Sequence, residues 1–102
     1  MKQAILFSGV RKYLDSISEQ DSVKVLAGIR ALEAGLVDSI KTKPLRGKVR
    51  ELVVKMHRVV YFGVNSVLYF VDAFLKKSNK TPERIIQRAE AIYREIAPNS
   101  NK

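Results

Sequence analysis

Two segments rich in β-branched residues, 49–62 and 67–75, constrain the fold more than any other feature of this sequence. Valine is frequent in both, and β-branched side chains favour extended strands. Residues 63–66 include a glycine and an asparagine, which indicates a hairpin turn between the two segments. Neither alternate set of side chains in the first segment is purely apolar. Either that strand breaks near residues 55–57 or one of its faces carries a polar site.

Alternation along residues 67–75 predicts which side chains of this strand face the core. The set that begins with Val67 and includes Tyr69 is almost entirely apolar, so we expect it to be buried. Asp72 and Lys76 belong to the opposite set and are expected on a less buried face. Tyr61 and Tyr69 alternate with apolar neighbours and are predicted to be core residues.

Helical signals precede the strands. Residues 2–7 form a short apolar run that can serve as a first strand, and apolar side chains then recur at helical spacing over about 9–35. A polar interruption favours two helices joined as a hairpin, with Asp21 or Ser22 capping the second, and one kinked helix is the alternative. Residues 36–47 are rich in turn formers and lysines, so we expect a connecting loop there.

A strong helix start follows the last strand. Thr81 is the expected cap, Pro82 the first helical residue, and the helix is expected to end at Pro98. The element order is then β-α-α-β-β-β-α, with helices and an antiparallel sheet largely segregated, which is an α+β fold. We expect residues 1–98 to form a single domain and residues 99–102 to be a tail.

Composition excludes several kinds of site. The chain has 102 residues, no cysteine and one histidine, His57, so disulfides, thiolate zinc sites and histidine metal clusters are not available. The longest apolar runs, 59–62 and 67–71, are far shorter than a membrane span. The amino terminus lacks the apolar stretch of a signal peptide. The sequence therefore predicts a cytoplasmic protein with no membrane partner, no metal and no cofactor.

The positive charge is concentrated in one half of the chain. The formal net charge is +9, and residues 41–102 carry the whole excess, with fourteen basic and five acidic side chains. Within residues 41–58 there are seven cations and one acid, Glu51. Such a density attracts polyanions, among them the phosphate backbone of a nucleic acid, an anionic membrane and an acidic protein segment.

Lysine, arginine, tyrosine and one histidine suit metal-independent cleavage of RNA. A basic group deprotonates the 2′-hydroxyl, which attacks the neighbouring phosphate, and an acid protonates the leaving 5′-oxygen. Cationic side chains stabilise the additional negative charge of the transition state. The sequence has no glycine-rich phosphate loop, no HExxH motif and no serine-centred elbow, so it does not indicate the other common hydrolytic sites.

Motifs over about residues 44–96 resemble a known family. They are Leu45-Arg46-Gly47, Glu51-Leu52, Arg58-Val59-Val60-Tyr61-Phe62 and Phe74-Leu75-Lys76-Lys77-Ser78-Asn79-Lys80-Thr81-Pro82. In this order they resemble the phage-derived, HigB-like branch of the RelE/ParE toxin superfamily, and the last motif is the most specific. The resemblance implies a RelE-like fold and the toxin of a type II toxin–antitoxin pair. It also implies ribosome-dependent mRNA cleavage, silenced by an antitoxin of the helix-turn-helix, DNA-binding kind.

The resemblance also suggests roles for individual residues. Arg58 matches the strand arginine that steadies the scissile phosphate, and Lys76, Lys77 and Lys80 match the basic cluster before the last helix. The catalytic candidates are Arg58, Lys77, Lys80 and His57. The RNA-binding candidates are Arg46, Lys48, Arg50, Lys55 and Lys76.

Alternatives remain open at this stage. His57 can be a hydrogen-bonded structural residue, and Arg58 can pair with Glu51 or Asp72 instead of a ligand phosphate. Val53 stands where the family often has arginine, which favours a degenerate toxin or a phage accessory protein that binds without cleaving. A ParE-like toxin that inhibits DNA gyrase by protein contact is a further alternative on the same fold.

Overall fold

The computed structural model describes residues 2–97 and has the predicted α+β architecture, consistent with a RelE-like fold. The predicted helix end at Pro98 and the tail 99–102 lie outside the described residues. The elements in chain order are β1 (Gln3–Leu6), α1 (Ser8–Ser16), α2 (Glu19–Ala34), a 3-10 turn (Val37–Ser39), β2 (Lys41–Arg46), β3 (Val49–Val54), β4 (His57–Val64), β5 (Val67–Leu75) and α3 (Glu83–Ile96).

The five strands form one mixed sheet in the order β1-β5-β4-β3-β2. The pairings β2–β3, β3–β4 and β4–β5 are antiparallel, the last two as predicted, whereas β1 pairs in parallel with β5. The predicted break in residues 49–62 is confirmed, because a turn at Lys55 and Met56 separates β3 from β4. Lys55 and Asn65 have φ angles of 54° and 57°, which allows the two tight turns that flank β4.

The prediction of a loop over residues 36–47 was wrong for its second half. Residues of β2 pair with β3, and Lys41 lies opposite Val53 and Lys43 opposite Glu51. The turn formers misled the prediction because β2 lies at the edge of the sheet, where a proline is tolerated. The register shifts just after Pro44, which is typical of the bulges that accommodate such residues.

Both faces of the sheet are covered by helices. One hydrophobic cluster joins α1 and α2 to the sheet, and a second joins α3 to the opposite face. The predicted single buried face of β5 is therefore incorrect. A bulge where Val60 and Tyr61 pair with Asp72 and Phe70 leaves one extra residue in β5, which changes the alternation of side chains beyond it. Ala73 consequently packs with the first cluster.

The helix ends differ from the predicted ones by a few residues. The side chain of Ser18, rather than Asp21 or Ser22, caps α2 by accepting a hydrogen bond from the Asp21 N–H at 3.1 Å. α3 begins at Glu83, one residue later than predicted, and the Thr81 hydroxyl does not cap it. Among residues 2–97, none of the helices has both the length and the apolar character needed to cross a membrane.

Candidate active site

The segment that connects β5 to α3 contributes to three clefts. We call residues 76–80, which include Lys76, Lys77 and Lys80, the basic connector. The backbone N–H of Lys76 donates to the carbonyl of Met56 at 2.8 Å, so the connector is held against the β3–β4 turn. Residues of the connector line all three clefts, whose volumes are about 490, 330 and 370 Å³.

The first two clefts share Lys77. The larger, which we call the tyrosine cleft, is lined by Tyr13 of α1, by Arg84 of α3 and by Lys77 and Lys80. The second, the arginine cleft, is lined by Arg58, Lys76 and Lys77. No Asp or Glu of residues 2–97 lines either cleft. Cations that line a concave surface without nearby carboxylates attract anionic ligands.

Arg58 is buried at the arginine cleft with part of its hydrogen-bonding capacity unused. Its side chain enters the protein from β4, and the residue is 6% exposed. One terminal nitrogen, Nη1, donates to the carbonyls of Lys55 and His57 at 2.7 and 3.0 Å. The buried Nε has no hydrogen-bond partner within the described part of the chain. A buried donor without a hydrogen bond costs free energy.

Glu51 is the carboxylate that balances the charge of Arg58, although loosely. Its Oε2 lies 3.8 Å from the Arg58 Nε, while its Oε1 accepts a hydrogen bond from the Thr81 hydroxyl at 2.7 Å. Asp72, the other partner considered from the sequence, instead lies 3.5 Å from Arg88 of α3. The contact from Thr81 therefore explains why this residue does not cap α3.

His57 lies on the opposite face of β4 from Arg58 and is buried in a chain of polar contacts. Its Nδ1 is 2.6 Å from the Tyr13 hydroxyl, and its Nε2 is 2.9 Å from Asp21 Oδ2. The Lys55 ammonium donates to the other oxygen of Asp21 at 2.7 Å. His57 lines none of the three clefts at the basic connector, so it is connected to the tyrosine cleft through Tyr13.

These contacts shift three pKa values. Hydrogen bonds from His57 and Lys55 lower the pKa of Asp21 to about 2, so its carboxylate is ionised at neutral pH. Burial, followed by the negative charge of Asp21, raises the pKa of Tyr13. The hydrogen bond to Asp21 raises the pKa of Lys55. At neutral pH Tyr13 therefore remains a neutral phenol, while Asp21 is an ionised carboxylate and Lys55 an ammonium.

The RNA-binding candidates are dispersed rather than gathered in one cleft. Arg46 lines the third cleft, where its Nη2 donates to Glu83 at 2.8 Å. Arg50 donates to the Thr42 hydroxyl at 2.9 Å, and Lys48 is exposed in the β2–β3 turn. Lys55 is engaged by Asp21, as described above. Of the five candidates, Lys76 is the one that lines the arginine cleft.

Val53 lies directly beside Arg58 in the sheet, because the two residues are partners in the β3–β4 register. Side chains that are paired in this way share a face of the sheet. The position that departs from the family pattern is therefore adjacent to the candidate phosphate ligand. In this chain Arg58 has an apolar neighbour there.

Tyr13 and Arg84 were missed as site residues by the sequence analysis. Tyr13 fits the apolar stripe of α1, and Arg84 fits the polar face of α3, so neither pattern indicated a ligand. For Arg84 a usable signal existed, since it follows the basic connector by four residues, at the start of α3. For Tyr13 the signal is a contact with His57 across 44 positions, which no local pattern reports.

Residues 2–97 contain no group of three or more His, Asp or Glu side chains placed to hold a metal ion. The side chains available for chemistry in the two shared clefts are cations, hydroxyls and the polar chain behind Tyr13.

The comparisons with known proteins agree with the resemblance at the level of the family. A search of curated proteins gave no match. The family model described as "Phage derived protein Gp49-like (DUF891)" matches residues 12–94, a range that includes Tyr13, Arg58 and the basic connector. This family is toxin-like, related to RelE, and common in toxin–antitoxin systems. The chain therefore belongs to the Gp49-like (DUF891) family of phage-derived proteins.

Proposed function

We propose that the protein is the toxin of a type II toxin–antitoxin system, of the HigB-like kind, and that it cleaves mRNA at the arginine and tyrosine clefts. One observation carries the proposal. Arg58 is largely buried and lines a cleft whose other charged side chains are lysines. A phosphate diester is an anion that such a cationic lining attracts, and arginine binds phosphate in a planar, two-pronged geometry.

The proposed reaction is an attack of the RNA 2′-oxygen on the adjacent phosphorus. Arg58 and Lys77 stabilise the charge that develops on the phosphoryl oxygens as the P–O5′ bond breaks. The products are a 2′,3′-cyclic phosphate and a 5′-hydroxyl, and the step uses no metal or cofactor. Lys80 and Arg84 would contact neighbouring phosphates along the tyrosine cleft.

Membership of the family supports an antitoxin as partner. The charge of residues 41–102 suits an acidic or amphipathic antitoxin segment, and any DNA binding would belong to the antitoxin's helix-turn-helix half. We further propose that the RNA substrate is an mRNA positioned on the ribosome.

Induced expression in bacteria tests this function. Growth and mRNA 5′ ends would be followed for the wild type, for Arg58→Lys and for Lys77→Ala. Arg58→Lys keeps the positive charge but loses the planar fork, so we expect at least a tenfold loss of cleavage. Arg30→Ala is the matched control because Arg30 is an exposed cation of α2 that lines none of the three clefts at the basic connector.

Growth arrest with new 5′ ends inside translated codons, weakened in both cleft variants and retained in the control, would support the proposal. Growth arrest without new 5′ ends would overturn the nuclease activity and favour inhibition of DNA gyrase, which a DNA supercoiling assay would test. Normal growth despite abundant folded protein and no antitoxin would overturn the proposal that the protein is a toxin.

A further inference from the structure

The polar chain Lys55–Asp21–His57–Tyr13 ends at Tyr13, which lines the tyrosine cleft. Lys55 contacts Asp21, Asp21 contacts His57, and His57 contacts the Tyr13 hydroxyl, all at distances from 2.6 to 2.9 Å. We propose that the Tyr13 hydroxyl is the general base of the RNA cleavage, with His57 and Asp21 as positioning residues behind it. This inference rests on the function proposed above and identifies the group that removes the proton of the 2′-hydroxyl, which that proposal leaves unassigned.

The contacts determine which ring nitrogen of His57 carries the proton. An ionised carboxylate can only accept hydrogen bonds, so the His57 Nε2 must donate to Asp21. In a neutral imidazole the other nitrogen, Nδ1, is then an acceptor, and the Tyr13 hydroxyl must donate to it. The Tyr13 oxygen then keeps lone pairs that can accept a proton, and Tyr13 is a lining residue of the cleft.

No other side chain of the tyrosine cleft, within residues 2–97, offers an equivalent acceptor. Lys77, Lys80 and Arg84 carry ammonium and guanidinium groups, which donate hydrogen bonds and accept none. Ser78 has a hydroxyl, but it donates to the Lys80 carbonyl at 3.1 Å and has no base behind it. Tyr13 is the lining residue whose hydroxyl is connected to a buried imidazole.

The proposed step balances as follows. The 2′-hydroxyl proton moves to the Tyr13 oxygen while the phenolic proton moves to His57 Nδ1. The O2′–P bond forms, the P–O5′ bond breaks, and the leaving O5′ takes a proton from the ammonium of Lys77, which lines both clefts. The imidazolium formed at His57 lies next to the Asp21 carboxylate, which stabilises it. Return of the proton through Tyr13, with solvent exchange at Lys77, restores the resting site.

Nuclear magnetic resonance of the imidazole tests the arrangement without reference to activity. His57 is the one histidine of the sequence, so in tag-free protein its ring signals need no assignment. In the neutral form of the ring we expect the proton on Nε2, and Asp21→Asn, whose amide can donate to Nε2, should shift the proton to Nδ1. A wild-type ring that carries its neutral-state proton on Nδ1 would overturn the relay.

Single-turnover cleavage of mRNA on purified ribosomes tests the chemistry. Tyr13→Phe keeps the ring and removes the hydroxyl, and we expect cleavage to fall about 10²-fold, the scale of a general base. Asp21→Asn should slow cleavage together with the change of tautomer. Tyr69→Phe and Asp38→Asn are the matched controls, because Tyr69 packs on Phe62 in the other cluster and Asp38 is exposed in the 3-10 turn.

The outcomes separate this inference from the proposed function. If the wild type cleaves and folded Tyr13→Phe cleaves at the same rate, the relay is wrong while the nuclease stands. If the wild type cleaves no RNA although His57 shows the expected tautomer, the nuclease is wrong and the polar chain is a structural link between the helices and β4. Thermal unfolding of each variant confirms that a loss of cleavage is not a loss of fold.

Discussion

His57 and Arg58 are neighbours in β4, yet their side chains enter opposite halves of the molecule. Side chains alternate along a strand, so His57 faces α1 and α2 while Arg58 faces the side of α3. Each is buried and each needs polar partners, which come from different elements. One dipeptide thus supplies both the proposed phosphate ligand and the centre of the proposed proton relay.

Asp21 gives a residue-scale prediction about stability and pH. The unfolded carboxyl titrates near pH ~3.9, and in the folded protein hydrogen bonds from His57 and Lys55 lower the pKa of Asp21 to about 2. Because the folded value is lower, ionised Asp21 stabilises the fold above the unfolded pKa, and this contribution is lost as the pH falls towards 2. Urea unfolding from pH 2 to 7 should show a wild-type advantage over Asp21→Asn that shrinks on acidification.

Asp38→Asn removes a carboxylate from an exposed site and is the control for net charge. A difference between wild type and Asp21→Asn that stays constant from pH 7 to pH 2 would contradict the role given to the His57 and Lys55 contacts.

At the scale of elements, the sequence predicted those that carry a strong local period. The helices have apolar side chains at helical spacing, and the break between β3 and β4 was visible in the imperfect alternation around residues 55–57. β2 was missed because an edge strand with Pro44 and lysines has the composition of a loop. The bulge in β5 was missed because one extra residue leaves no mark on composition.

The site residues that the sequence predicted are likewise those with a local signal. Arg58 and the lysines of the basic connector were found because each belongs to a short contiguous motif. The structure places Arg58, Lys76 and Lys77 around the arginine cleft, and Lys80 in the tyrosine cleft. Tyr13 and Asp21 were not found, since their importance arises from contacts with His57 over 44 and 36 positions. Patterns within one helix cannot indicate which side chain another element brings against it.

The packing of α2 on the sheet gives an element-scale prediction. Gly28 is buried, and a Cβ atom there would lie 3.1 Å from Cδ2 of the fully buried Leu52. Gly28→Val should therefore lower the free energy of unfolding by about 1–3 kcal/mol, the usual cost of overpacking a core. Gly9→Val, at an exposed glycine of α1 where an added Cβ would have nothing within 4 Å, controls for the change of helix propensity from glycine to valine.

Denaturant unfolding measures both variants. Equal stability of Gly28→Val and Gly9→Val would mean that α2 can move away from β3 at little cost, and would contradict the close approach of Gly28 to Leu52.

At the scale of the whole molecule, the proposed site lies at one end of the sheet. It lies where β4 begins and β5 ends, and the tyrosine cleft draws side chains from α1 and α3, which cover opposite faces. The basic connector joins the two faces there. An RNA strand bound at this end would contact both clefts, and the excess positive charge of residues 41–102 would attract it.

Salt dependence gives the prediction at this scale. Removing one cation that binds an RNA phosphate should reduce the slope of log affinity against log salt by roughly 0.7 for a single strand. Lys77→Ala with Lys80→Ala should thus reduce the slope for a short single-stranded RNA by roughly 1.4. Fluorescence anisotropy at several salt concentrations measures it, with Arg30→Ala as control, and an unchanged slope in the double variant would place RNA elsewhere on the surface.

The parallel pairing of β1 with β5 has a consequence for the order in which the protein becomes active. Gln3 pairs with Val67, and the tyrosine cleft combines Tyr13 with Arg84. Both features therefore need residues made early in translation and residues made late. A chain still emerging from the ribosome lacks β5 and α3, and with them the proposed site. Any activity of the proposed site against translation therefore cannot begin until β5 and α3 have been made.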